Sequence, residues 1–183
     1  MIAEAEDAIV AAIQGVLGQT VQTIEILPGP WDQDALTLAF RKAPGVWVYW
    51  DGGRPGKGGG RHARLENRFL VYAMTDHASG QRERRRGNSH RIGAYEIIEK
   101  VVPALTGQPI AQLGSLMFDG IRVLTSASSQ RKGVAVYEMS FNVDAGFPAP
   151  RDAADLADFA IYSATHQVGD GPDTETLTDI PTE

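Results

Sequence analysis

The stretch WDGGRPGKGGGRHARLENRFLVYAMT, residues 50–75, decides between two fold classes. Its first twelve positions hold six glycines, one lysine and two arginines, a composition suited to cradling phosphate. Composition alone does not make a phosphate loop. In G-x-x-x-x-G-K-[ST], backbone amides and the N-terminus of a following helix wrap the phosphates, while the hydroxyl binds magnesium. Here only three residues separate Gly52 from Gly56, and Lys57 is followed by Gly58 rather than by serine or threonine. What comes next weighs more. Phe69, Val71 and Ala73 alternate with Leu70, Tyr72 and Met74, a period of two that predicts a strand at least half buried. No helix dipole then points at the loop, so the dinucleotide pattern G-x-G-x-x-G fails as well. Residues 50–61 read as the long, mobile loop of a β-hairpin whose first strand is Val46–Trp50.

Upstream, Ile2, Ala5, Ile9, Ile13, Val16 and Leu17 recur at helical steps behind an acidic first turn and end near Gly18. A short strand over 21–27 follows. A second helix capped by Asp32 runs through Ala35, Leu36, Ala39 and Phe40 to Pro44 and Gly45. Downstream, the polar stretch HASGQRERRRGNSHR, 77–91, reads as a loop. Asn88 or Ser89 is the expected cap of a third helix with an apolar stripe of Ile92, Tyr95, Ile98, Val102 and Leu105, closed at Gly107. Ile121, Val123 and Thr125 face Val134, Val136 and Met139 across SASSQRKG, a second hairpin with a basic tip. Strands outnumber what βαβ alternation requires. The expected fold is α+β, a mainly antiparallel sheet with helices packed on it and long hairpin loops. One domain covers 1–148; the extension 149–183 is expected to hold a short helix in DAADLADFAIYSA and then an acidic, flexible tail.

Charge is unevenly placed. Of 17 basic and 23 acidic residues, the segment 151–183 takes Asp152, Asp155, Asp158, Asp170, Asp173, Glu175, Asp179 and Glu183 against Arg151 alone. The rest of the chain is close to neutral, which argues against a general duplex-DNA binder, whose affinity depends on many basic phosphate contacts. No apolar run reaches the roughly 20 residues that span a bilayer, and MIAEAEDAIV lacks the basic start of a signal peptide. The absence of cysteine excludes disulfides, thiolate metal sites and cysteine nucleophiles, and suits a cytosolic origin.

Candidate chemistry is sparse. His62, His77, His90 and His166 are scattered without metal-ligand spacing. The pairs Asp32/Asp34 and Glu96/Glu99 fit capping and solvation, and no serine lies in G-x-S-x-G. The expectation is therefore no catalytic residue, no metal and no cofactor. The arginine run Arg82, Arg84, Arg85 and Arg86 suits contact with phosphate or an acidic protein surface, or simple solvation. With Arg54, Lys57 and Arg61 in the glycine stretch, and Arg131 and Lys132 at the second hairpin tip, it makes three basic loops as candidate partner contacts. Trp47, Tyr49 and Trp50 read as an exposed aromatic edge. A small nucleic-acid-binding module using the basic loops is the alternative function.

Several stretches in order resemble a family of Mu-like phage and prophage neck proteins. They are MIAEAEDAIVAAI (1–13), PWDQDALTLAFRKAPGVWV (30–48), RFLVYAMTDHASG (68–80), RIGAYEIIEKVVPALTGQ (91–108) and VYEMSFNVD (136–144), with an echo in DLADF. The resemblance covers roughly residues 1–145. That family in turn is similar to tail-terminator and tail-completion proteins of long-tailed phages, small α+β subunits that form a ring, commonly a hexamer, capping the tail tube. It implies a structural virion protein without enzyme activity or cofactor. The implied partners are other copies of itself, tail tube and sheath proteins and a head-completion protein, with DNA passing transiently through the lumen. The implied location is the tail or neck, after assembly in the host cytoplasm. The basic glycine stretch and the long acidic extension depart from the family pattern.

Overall fold

A computed structural model describes residues 2–30, 33–57, 63–76, 80–110, 113–124, 133–147, 161–166 and 174–179. The chain divides into two compact units, Met1–Phe147 and Pro148–Glu183.

The first unit is built on one five-stranded sheet in the order β1-β2-β3-β7-β6. Its members are β1 (Thr23–Ile26), β2 (Gly45–Pro55), β3 (Ala63–Asp76), β6 (Met117–Val123) and β7 (Val134–Phe147); two-residue strands β4 (Pro109–Ile110) and β5 (Gly114–Ser115) form a separate ladder. The backbone of β3 pairs with β7 along its whole length, from Ala63↔Phe147 to Asp76↔Val134. Pairings β2/β3 and β6/β7 are also antiparallel, whereas β1 runs parallel to β2. A parallel neighbour needs a crossover, and α2 (Gln33–Phe40) lies in that connection. The expected α+β class with a mainly antiparallel sheet is what the chain adopts.

Period-two alternation sorts the strands into two apolar faces. On one, Val46, Val48, Phe69, Val71, Ala73, Met139, Phe141, Val143 and Ala145 pack with Ala5, Ile9, Ile13 and Leu17 of α1 (Ile2–Leu17). The same core takes Ile97, Val101 and Leu105 from α4 (Ala94–Leu105). On the other face Trp47, Leu70, Tyr72, Met74, Val134 and Val136 meet Leu27, Ala39 and Ala43. Residues 69–75 are consequently all buried. Each large apolar side chain so removed from water stabilises the fold by about 1.5–3 kcal/mol.

Four local expectations are revised. First, the glycine stretch is not loop from Trp50 onward: β2 continues to Pro55 through a bulge between Trp50 and Gly53. Gly52 takes φ +92°, and a Cβ on Gly53 would stand 2.5 Å from Leu65 Cγ. Those two glycines serve a fixed bulge and a close cross-strand approach rather than mobility. Second, Trp47 is 3% exposed, and Tyr49 and Trp50 are half-buried. They cannot form an edge, because β2 is flanked by β1 and β3. Trp50 instead donates through Nε1 to Asn67 Oδ1 at 3.2 Å and through its backbone N–H to Glu6 Oε1 at 3.1 Å. Third, the buried stripe of α4 is Ala94, Ile97, Val101 and Leu105, with Tyr95, Ile98 and Val102 turned to its margin. The helix packs against α1 and against β3 and β7, so the face one residue round from the expected stripe takes the centre of the core. Fourth, α4 begins after Gly93, which offers no side-chain cap. Asn88 Oδ1 accepts the backbone N–H groups of His90 and Arg91, both at 2.9 Å, and so closes the preceding turn.

In the second unit, β8 (Ile161–His166) pairs antiparallel with β9 (Thr174–Asp179), from Ile161↔Asp179 to His166↔Thr174. A helix reaching through IYSA and an unstructured TETLTD are both replaced by this ladder. The β-branched threonines at every second position of TETLTD favour an extended backbone over coil. The rest of the expected helix, up to residue 160, lies outside the described residues, as does Asp32.

Candidate partner-binding surfaces

The arginine run, read from sequence as a loop, is a short helix, α3 (Gln81–Arg86). Six polar residues without an apolar stripe would not hold a helix in water; the surroundings hold this one. Buried Thr75 of β3 donates its hydroxyl to Arg84 O at 2.7 Å, and Gly87 N–H donates to Glu83 O at 2.7 Å. Behind the helix two backbones touch: a Cβ on Gly93 would lie 2.1 Å from Gly87 N and 2.3 Å from Arg86 C. Gly87 itself takes φ +73°. Only glycine fits both positions, and their contact anchors α3 to the start of α4.

Arg84 is half-buried, with its guanidinium about 3.3 Å from where a Cβ on Gly133 would stand. Arg82, Arg85 and Arg86 are exposed. Together with Gln81 and Tyr95 they line a concavity of about 410 Å³. The Tyr95 ring stands edge-on to Tyr137, centroids 5.8 Å apart. Burial, then a hydrogen bond with Tyr95, pushes the Tyr137 hydroxyl up to about 12. Lys42, Arg91, Lys100 and Arg122 each lie within 3.3 Å of a carboxylate. Arg82, Arg85 and Arg86 form no ion pair among the described residues.

Arg54 and Lys57 are exposed at the other end of the sheet. Arg54 pairs in register with Glu66, while Met74 and Asp76, toward α3, lie at the far end of β3. At about 3.3 Å per strand residue, roughly 30 Å or more separates the two groups. Two of the three basic segments expected as partner contacts therefore stand at opposite ends of the sheet. Arg54 borders a depression of about 430 Å³ that also contains Asp51, Glu66, Arg68, Asp119 and Asn142. Arg68 lies 3.8 Å from Asp51 and 4.0 Å from Asp119. Mixed signs in close range make this a weak anion site. Arg61, Arg131 and Lys132 lie outside the described residues. Among the described residues no group of three or more histidine or acidic side chains could hold a metal ion.

A surface missed in the sequence is β6. It ends the sheet, and its Met117 and Val123 are 71% and 57% exposed, with Phe118 and Ile121 also at the surface. A bulge between Phe118 and Gly120 lets Ser140 Oγ donate to Asp119 Oδ2 at 3.1 Å. Phe118 still reaches Phe141 edge-on, at 5.6 Å between centroids. Arg122 pins the strand by donating to buried Glu138 at 2.9 Å. That hydrogen bond, and then the charge behind it, hold the Arg122 guanidinium above its ordinary pKa. Burial, and then the nearby Glu138 charge, raise the Tyr72 hydroxyl on the same face. The opposite edge, β1, carries exposed Ile26, which with Leu38 of α2 lines an apolar groove of about 380 Å³ that includes Trp47. The sequence signal for β6 was present in the alternation of Ile121 and Val123, but strand order is not a local property.

Residues 1–145 match the family described as "Bacteriophage Mu, Gp37". The chain is 30% identical over 165 residues to the Mu-like prophage FluMu protein gp37 of Haemophilus influenzae, covering 90% of this chain and 80% of that one. It is 25% identical over 171 residues to the probable tail terminator protein of Escherichia phage Mu, covering 93% and 88%.

Proposed function

The chain belongs to the bacteriophage Mu Gp37 family, and from that membership we propose that it terminates the tail of a Mu-like phage, prophage or tailocin. In this reading, copies of the chain close into a ring at the head-proximal end of the tail tube, a hexamer where the tube has sixfold symmetry. The role is structural and needs neither catalysis nor a cofactor. Tube, sheath and head-completion proteins are its other partners, and DNA passes through the lumen. The chain enters the virion neck after assembly in the host cytoplasm. No helix among the described residues is long and apolar enough to cross a membrane.

The observation that supports this reading best is the edge strand β6, without an outer partner among the described residues and with Met117, Phe118, Ile121 and Val123 exposed along it. An edge strand with apolar side chains and free backbone groups is a template for another strand. The apolar rim of β1 and α2 lies at the opposite end of the same sheet. Two different edges meeting head to tail make a heterologous contact, the kind that closes into a ring when the rotation permits.

Electron microscopy of purified tail tubes incubated with the chain tests it: ring-shaped caps at one tube end are expected. Bare tubes at saturating protein would overturn the reading. The separation of Arg54 and Lys57 from Arg82, Arg85 and Arg86 disfavours the nucleic-acid module, whose affinity depends on many basic phosphate contacts.

A further inference from the structure

We propose that the α3 arginine patch is the receptor for the acidic C-terminal segment, residues 170–183, of a second copy of this chain. The proposal rests on the self-association assumed above and names one contact within it.

Three observations support it. Arg82, Arg85 and Arg86 are exposed on a helix that is fixed from behind by Thr75 and by the Gly87–Gly93 contact. They are cations without an ion pair among the described residues, in a structure that pairs Lys42, Arg91, Lys100 and Arg122. A preset guanidinium cluster loses little freedom when it takes up carboxylates, which it can grip in bidentate fashion. Second, the concavity they line is not wholly polar, since it includes the Tyr95 ring. Third, the complementary charge lies in the same sequence: Asp170, Asp173, Glu175, Asp179 and Glu183, with no base among residues 170–183.

An acidic peptide fits better than nucleic acid. The three arginines span little more than one helical turn, about 6 Å of axis, room for few phosphates. Arg54 and Lys57 are too distant to extend the track, and the chain's own net charge of −6 opposes a polyanion approaching from solution.

The test uses the full chain in two charge-reversed forms. One carries R82E, R85E and R86E; the other carries D170K, D173K, E175K and D179K. Arg84 is left intact because it is part of the helix seat. Self-association by sedimentation equilibrium is expected to weaken about tenfold or more in each variant alone. It should be restored when the two are mixed, because each then offers the other a complementary surface, and it should weaken with rising salt. Unchanged melting temperatures show that both variants fold. Wild-type association in either variant, or no recovery in the mixture, overturns this contact while leaving ring formation standing. A wild-type chain that stays monomeric, and leaves tail tubes bare, overturns both. Electrophoretic retardation of a 30-base-pair duplex by the wild type but not by R82E/R85E/R86E would overturn the proposal in favour of a nucleic-acid surface.

Discussion

Strands β3 and β6 flank the same strand, β7, and both pair with it antiparallel. Both carry aromatic and branched apolar residues, Phe69, Val71 and Tyr72 in β3 and Phe118, Ile121 and Val123 in β6. Their surroundings are opposite. The former is paired along both edges and buried on both faces over residues 69–75; the latter is exposed along nearly its whole length and has no strand on its outer edge among the described residues. The same kind of strand thus serves as core in one place and as a contact surface in the other, and position in the sheet decides which. Substitutions should separate the two roles.

The largest effect is expected on the covered side. Phe141→Ala removes a fully buried ring between α4, β3 and β6, and should cost about 3–5 kcal/mol of stability in urea or thermal denaturation. Gly93→Ala comes next. Its methyl group would collide with Gly87 and with the backbone of α3, so about 1–3 kcal/mol should be lost. The loss should be accompanied by weaker amide exchange protection in residues 81–86 if the two backbones hold that helix. On the uncovered side, Ile121→Lys with Val123→Lys should leave stability within about 0.5 kcal/mol, as usual for surface positions. The same pair should abolish self-association and tube capping. A large loss of stability instead would show β6 to be core after all.

The smallest effect concerns pH. Burial, partly offset by the N–H of Trp50 and reinforced by Asp7, raises the Glu6 pKa above 4.5. The folded chain therefore holds that proton more tightly than the unfolded chain. Its contribution is most favourable below the unfolded value and falls as pH rises through the raised folded value. Glu6→Gln should flatten stability between pH 4 and 7 and raise it slightly at neutral pH. A pH profile identical to wild type would show that Glu6 titrates as a free carboxyl.

Much of the core was legible because burial leaves a periodic trace. Ile9, Ile13 and Leu17 mark the inner face of α1, and the run Phe69–Met74 marks a strand buried on both sides. The run also told that the glycine stretch leads into a strand, Ala63–Asp76, and not into a helix. The contact surfaces were less legible. Arg82, Arg85 and Arg86 stood out by composition, but six polar residues carry no period, and the helix that displays them depends on glycines at 87 and 93 meeting across a turn. Trp47 looked like surface and is core, while Ile121 looked like an ordinary hairpin residue and is the exposed edge.

By itself, then, the sequence determined the α+β class, the inner faces of α1 and β3, the hairpins β2/β3 and β6/β7, and the family. These follow from short-range patterns, since burial, turn chemistry and propensity act within a few residues. Only the tertiary structure decided that β1 runs parallel to β2, that β6 rather than β2 is an edge, and that Arg54 and Lys57 stand at the opposite end of the sheet from Arg82, Arg85 and Arg86. Strand order and the seating of a six-residue helix depend on contacts between residues far apart in the chain, and a linear pattern does not encode which of several equally apolar strands ends outermost.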